Sequence, residues 1–136
     1  MYTIEQLNLR GVGKWPALLG LVITGVTRTG ITAEFVVKPH HMAPNGFLHA
    51  GTVVTLADTA CGYGCYSHLP PGATGFTTVE LKSNHLGTTR DGTIECQASA
   101  VHLGKSTQVW DAVVTHKEAA KTIALFRCTQ MILYPK

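Results

Sequence analysis

The chain has 136 residues, with apolar residues at 45%, charged residues at 14% and a formal charge of +3 spread along it without a lysine or arginine run. That length allows one domain over residues 1–136, and the scattered charge argues against nucleic acid as a partner. So small a charged share, against roughly a quarter in an average domain, predicts surface hidden in an oligomer.

The first 10 residues carry Glu5 early and lack the basic-then-apolar order of a signal peptide. Residues 3–10 predict a short amphipathic helix ended by Gly11 and Gly13. From Leu18 the β-branched run predicts strands near 18–28 and 31–38, joined at Thr29-Gly30. PHHMAPNG, 39–46, reads as a loop. From His49 to about Leu69, apolar residues occupy nearly every angular position, which predicts a helix buried all round. PPGATG, 70–75, is the exit loop, and FTTVELKSNHL, TIECQASAVHL, STQVWDAVVTH and TIALFRCTQMIL predict four strands in an antiparallel meander. The fold class is α+β: a curved antiparallel sheet wrapped around one central helix. No apolar run reaches the ~20 residues that span a bilayer. Cys61, Cys65, Cys96 and Cys128 form no CxxC pair, so neither zinc nor a disulfide framework is indicated. A reduced, cytoplasmic protein is expected.

Asp58 lies halfway along the predicted helix, and its neighbours one turn away, Val54, Thr55, Cys61 and Gly62, supply no cation. An unpaired carboxylate in an apolar interior is expensive, so Asp58 is either satisfied locally, by Thr55 or a loop amide, or used chemically. The helix start offers unpaired N–H groups, and Gly46, Ala50 and Gly51 are small enough for a carbonyl to approach them. Asn45 and His49 flank that point, and for a lone histidine such as His49 capping or core packing is the commoner role. Ala50 and Asp58 stand about 12 Å apart along one helix. To act on one carbon they must come from two copies with antiparallel helices, in a homodimer with two equivalent sites.

NGFLHAGTVVTLAD resembles the helix-start motif of hotdog-fold acyl-CoA thioesterases, HGG with a carboxylate nine positions after the histidine: here His49-Ala50-Gly51 and Asp58. The downstream strands are also similar to that family, in its phenylacetate-pathway and 4-hydroxybenzoyl-CoA branch. The resemblance implies a hotdog fold and hydrolysis of an aryl-, arylacetyl- or medium-chain acyl-CoA, with coenzyme A part of the substrate and no separate cofactor. It implies Asp58 as nucleophile or general base and the Ala50 N–H as oxyanion donor. Asn45 would orient carbonyl or water, although it stands two residues closer to His49 than in the common form, and Thr78 would hold the attacking water. Gly51, Lys105 and Ser106 would meet the coenzyme A portion, Lys105 at its phosphates. Ala60, Gly62 and Gly64 leave room near Asp58 for an aryl ring or a medium acyl chain, and dimers in this fold often pair into homotetramers. The competing class is a non-catalytic acyl-CoA-binding protein of the same fold.

Overall fold

Thr3 and Gln6 begin the structure with a capping box. The Thr3 hydroxyl accepts the Gln6 N–H at 3.1 Å and the Gln6 side chain accepts the Thr3 N–H at 2.9 Å, which satisfies two of the donors a helix start leaves open. Helix α1, Ile4–Arg10, follows and buries Leu7. In this computed structural model, which describes residues 1–136, a second short helix α2 spans Trp15–Leu19. The sequence pattern places a strand from residue 18, and the structure corrects this. Pro16 suits a first helical turn, and Gly20, at φ 82°, closes the helix in the left-handed region.

Strands β1, Val22–Val26, and β2, Gly30–Val36, form the expected hairpin. A 3-10 turn at Pro39–His41 leads to the long helix α3, Ala50–Ser67. Buried His41 anchors this loop: its Nδ1 accepts the Lys38 N–H at 3.0 Å, which leaves Nε2 to donate to the Leu19 carbonyl at 2.8 Å. Four strands follow: β3, Gly75–His85; β4, Thr93–Leu103; β5, Thr107–His116; and β6, Lys121–Leu133. All pairings are antiparallel, in the order β1-β2-β4-β5-β6-β3. The meander therefore holds for β4-β5-β6 only. The chain leaves α3 at the far side of the sheet, so β3 becomes an edge beside β6, and β4 returns to pair with β2.

The concave face of the sheet grips α3 through small residues. A Cβ on Gly64 would stand 2.5 Å from the Trp110 ring, and one on Gly62 would stand 3.2 Å from Phe76. The helix glycines, poor helix formers, are thus sites of close ring packing. Val53, Leu56, Ala57, Ala60, Cys61 and Cys65 complete the buried side, while Gly51, Thr55, Asp58, Thr59 and Tyr66 remain partly or fully open. Within one chain the helix is not buried all round: six strands cannot close around it, and one stripe is left uncovered. No helix is long and apolar enough to cross a membrane.

Candidate active site

The uncovered stripe of α3 carries the predicted carboxylate. Oδ1 of Asp58 is buried and has no hydrogen-bond partner, and burial raises its pKa above the ordinary 3.8. Thr55, the local partner that could have satisfied it, is engaged elsewhere. Its hydroxyl donates to the Gly51 carbonyl at 2.8 Å and accepts the Trp15 indole N–H at 3.0 Å. Within the chain Asp58 therefore bonds neither Thr55 nor a loop amide.

At the helix start His49 is the N-cap. Its Nδ1 accepts the Gly51 N–H at 2.8 Å, so the ring proton sits on Nε2. The Ala50 N–H, in contrast, has no acceptor within the chain. It lines a pocket of about 320 Å³ with Asn45, Phe47 and Val53 on one side and His85 and Thr88 on the other. Asn45 closes the Asn45–Phe47 turn by accepting the Phe47 N–H at 3.1 Å, beside Gly46 at φ 84°. The structure thus brings Asn45, Ala50 and the His49 cap together. It keeps Asp58 two helical turns away, about 12 Å along the axis.

Strand β3 supplies the wall beside Asp58. Directly paired residues in an antiparallel sheet share a face. Phe76, Thr78, Leu81, Ser83 and His85 pair with buried Ile132, Gln130, Cys128, Phe126 and Ala124, so those five face α3. The irregularity between Thr78 and Glu80 makes this possible, because it shifts the alternation by one. Phe76 packs on Gly62 and His85 shares the pocket with Ala50, so Thr78 lies along β3 between those two contacts, on the side of Asp58. Ser83 and His85 escaped the sequence reading. The Ser83 hydroxyl, like Asp58 Oδ1, is buried without a partner. Alternation counted through an unrecognised bulge puts both residues on the wrong face.

Lys105 and Ser106 are exposed at the β4–β5 turn. Lys105 borders a cleft of about 530 Å³ with His68, Pro70 and Gln108, at the C-terminal end of α3. One chain therefore separates Lys105 from the Ala50 pocket by the full length of the helix, ~27 Å for 18 residues. The room expected at Ala60, Gly62 and Gly64 is also absent: Ala60 is buried in the core, and Trp110 and Phe76 fill the space at the glycines. A further groove of about 330 Å³ on the sheet includes Asp111 and Arg127 in its lining. These two already neutralise each other through contacts of 2.5 and 2.9 Å, and that groove holds no unpaired group comparable to Asp58.

Residues 45–123 match the family model described as the thioesterase superfamily. The chain is 33% identical over 111 residues to the 1,4-dihydroxy-2-naphthoyl-CoA hydrolase of Listeria monocytogenes, covering 82% of this chain and 89% of that protein. It is 27% identical over 119 residues to the proofreading thioesterase EntH of Cronobacter sakazakii, covering 88% and 86%. Among solved structures, a mutant thioesterase from Pseudomonas aeruginosa superposes with a TM-score of 0.92 at 28% identity, over 98% of this chain and 95% of the other. A thioesterase from Haemophilus influenzae gives 0.92 at 28%, over 98% and 92%.

Proposed function

We propose that this chain, which belongs to the hotdog thioesterase superfamily and is a thioester hydrolase, cleaves an aryl-, arylacetyl- or medium-chain acyl-CoA at sites shared by two copies. The observation that carries this reading is the unpartnered, buried Oδ1 of Asp58 on the open stripe of α3. A carboxylate left without a local partner in a desolvated place is an acid–base or nucleophilic group. Names of relatives such as 1,4-dihydroxy-2-naphthoyl-CoA hydrolase support an aromatic acyl group attached to coenzyme A.

A second copy fits for two reasons. Strand β3 is an edge with most of its residues exposed, including Val79 at 57% and Leu81 at 41%, and such edges invite pairing. The free Ala50 N–H and Asp58 cannot reach one carbon within one helix. An antiparallel pair of α3 helices with its two-fold near residue 54 brings each Ala50 amide opposite the other copy's Asp58. The same arrangement carries Lys105, at the C-terminal end of one helix, toward the other copy's Ala50 pocket and a phosphate-bearing leaving group there. Assembly into a homotetramer would add a second, separate interface.

The chemistry needs few groups. Asp58 takes a proton from water as the water oxygen attacks the thioester carbon, or its own oxygen attacks and water then cleaves the anhydride. Thr78 holds the water, Ala50 N–H and Asn45 receive the developing oxyanion, and His49 keeps the helix start in place. The thiolate leaves without strong acid assistance, since a free thiol has a pKa of about 8.5. Thiol release measured on phenylacetyl-, hydroxybenzoyl- and hexanoyl-CoA tests this. Asp58→Asn is expected to lower turnover at least ~100-fold while the protein stays folded, and equal release by both proteins removes the mechanism.

A further inference from the structure

Two aromatic rings bracket Asp58 on the open stripe of α3. One turn toward the C-terminus, Phe76 covers Gly62, with Cζ 3.2 Å from where a Cβ would stand. One turn toward the N-terminus, the Trp15 indole N–H donates to Thr55 Oγ1 at 3.0 Å. Thr55 and Gly62 are surface neighbours of Asp58 at three and four positions, so each ring touches α3 one turn from the carboxylate. The indole is pinned by its one polar atom, yet the residue stays 54% exposed. It lines one groove with Leu18, itself 68% exposed, and exposed apolar surface on a domain marks ligand or partner sites. Small Gly13 and Ala17 leave a groove of about 550 Å³ beside the ring, with Lys14 the one charged residue at its border.

We propose that Trp15 is a specificity-determining residue: its indole forms one wall of the acyl site, opposite Phe76, and favours acyl groups that carry a flat aromatic ring. The proposal rests on Asp58 being the reacting carboxylate. Groove and carboxylate are joined through a single side-chain bridge, Trp15 to Thr55, so an acyl group whose carbonyl sits at Asp58 meets the indole within one helical turn. An aromatic ring gains stacked or edge-on contact beyond the area it buries, which a saturated chain does not. No charged side chain besides Lys14 borders the groove, so a neutral ring enters without a desolvated ion to displace.

Two readouts test this. Between phenylacetyl-CoA and butyryl-CoA, the ratio of kcat/KM is expected to fall about tenfold in Trp15→Ala, and by less in Trp15→Phe, which keeps a ring. Parallel losses on both substrates overturn the proposal. Independently of turnover, phenylacetyl-CoA added to the Asp58→Asn protein is expected to alter tryptophan emission through Trp15, because the other tryptophan, Trp110, is fully buried. The response should vanish in the Trp15→Phe/Asp58→Asn double variant; no response at saturation, or one that survives the loss of Trp15, overturns the proposal. If Trp15→Ala instead sediments as a smaller species with unchanged selectivity, the ring is a seam between copies and the proposal fails. Undiminished thiol release by Asp58→Asn is a separate failure, that of the Asp58 reading itself.

Discussion

His49 Nδ1 accepts the Gly51 N–H at 2.8 Å, and a Cβ added to residue 51 would stand 2.8 Å from that same nitrogen. The histidine and glycine of the motif are therefore one device: the glycine exists so that the imidazole can fold back as the cap. Gly51→Ala should displace the ring and cost about 1 kcal/mol, the usual worth of a lost N-cap, together with activity. His49→Asn, which retains a capping side chain, should recover most of the thermal stability lost in His49→Ala. If it recovers turnover as well, the role of His49 is to position the helix start; if turnover stays at the alanine level, the imidazole itself takes part in the reaction.

Burial raises the Asp58 pKa, so the folded state prefers the protonated acid. The stability this carboxyl contributes is present below its unfolded value, near 3.8, and is lost as pH rises through the higher folded value. Asp58→Asn never carries that charge. Its Tm should gain on the wild type as pH increases from acid to neutral, while its turnover stays low. The acid limb of the wild-type kcat/KM profile should have its midpoint above the ordinary carboxylate value. A difference in Tm that is flat with pH contradicts a desolvated Asp58.

Ser83 keeps a buried hydroxyl without a partner on the inner face of β3. Removing an unsatisfied buried polar group is neutral or stabilising, so Ser83→Ala should leave Tm equal or higher. If that hydroxyl meets substrate or an attacking water, kcat should drop roughly tenfold. Unchanged kinetics would reduce Ser83 to a packing residue.

Lys105 borders a cleft at the C-terminal end of α3, with no salt-bridge partner in its own chain. Lys105→Ala should raise KM for acyl-CoA a few-fold at low ionic strength. The two proteins should converge in about 0.5 M salt, where the screening length falls well below 10 Å. Equal Michaelis constants at low salt would separate Lys105 from the phosphates.

Gly64 faces Trp110 so closely that an added Cβ would meet the ring at 2.5 Å. Gly64→Ala should therefore destabilise by about 1–3 kcal/mol, the range for overpacking a core, despite the gain in helix propensity. Chemical denaturation checks this, and an increase in stability would show that the Trp110 ring can move away.

Much of this was legible along the chain because it is local. Hydrophobic period and turn residues determine the strands β4 to β6 and the bounds of α3 within two residues, whereas the choice of His49 as the cap rather than a core residue needed its contact with Gly51. The Trp15–Leu19 helix was hidden, since five residues hold too little periodic signal against a β-branched run that follows. What only the tertiary structure decided depends on contacts between distant residues. Pairing β3 with β6 rather than β4 follows from where α3 releases the chain. The turn of Ser83 and His85 toward the helix follows from one irregularity in β3, and the filling of the helix glycines from Trp110 and Phe76. The open stripe that leaves Asp58 without a partner is likewise tertiary, because a six-stranded sheet can close around only part of a helix.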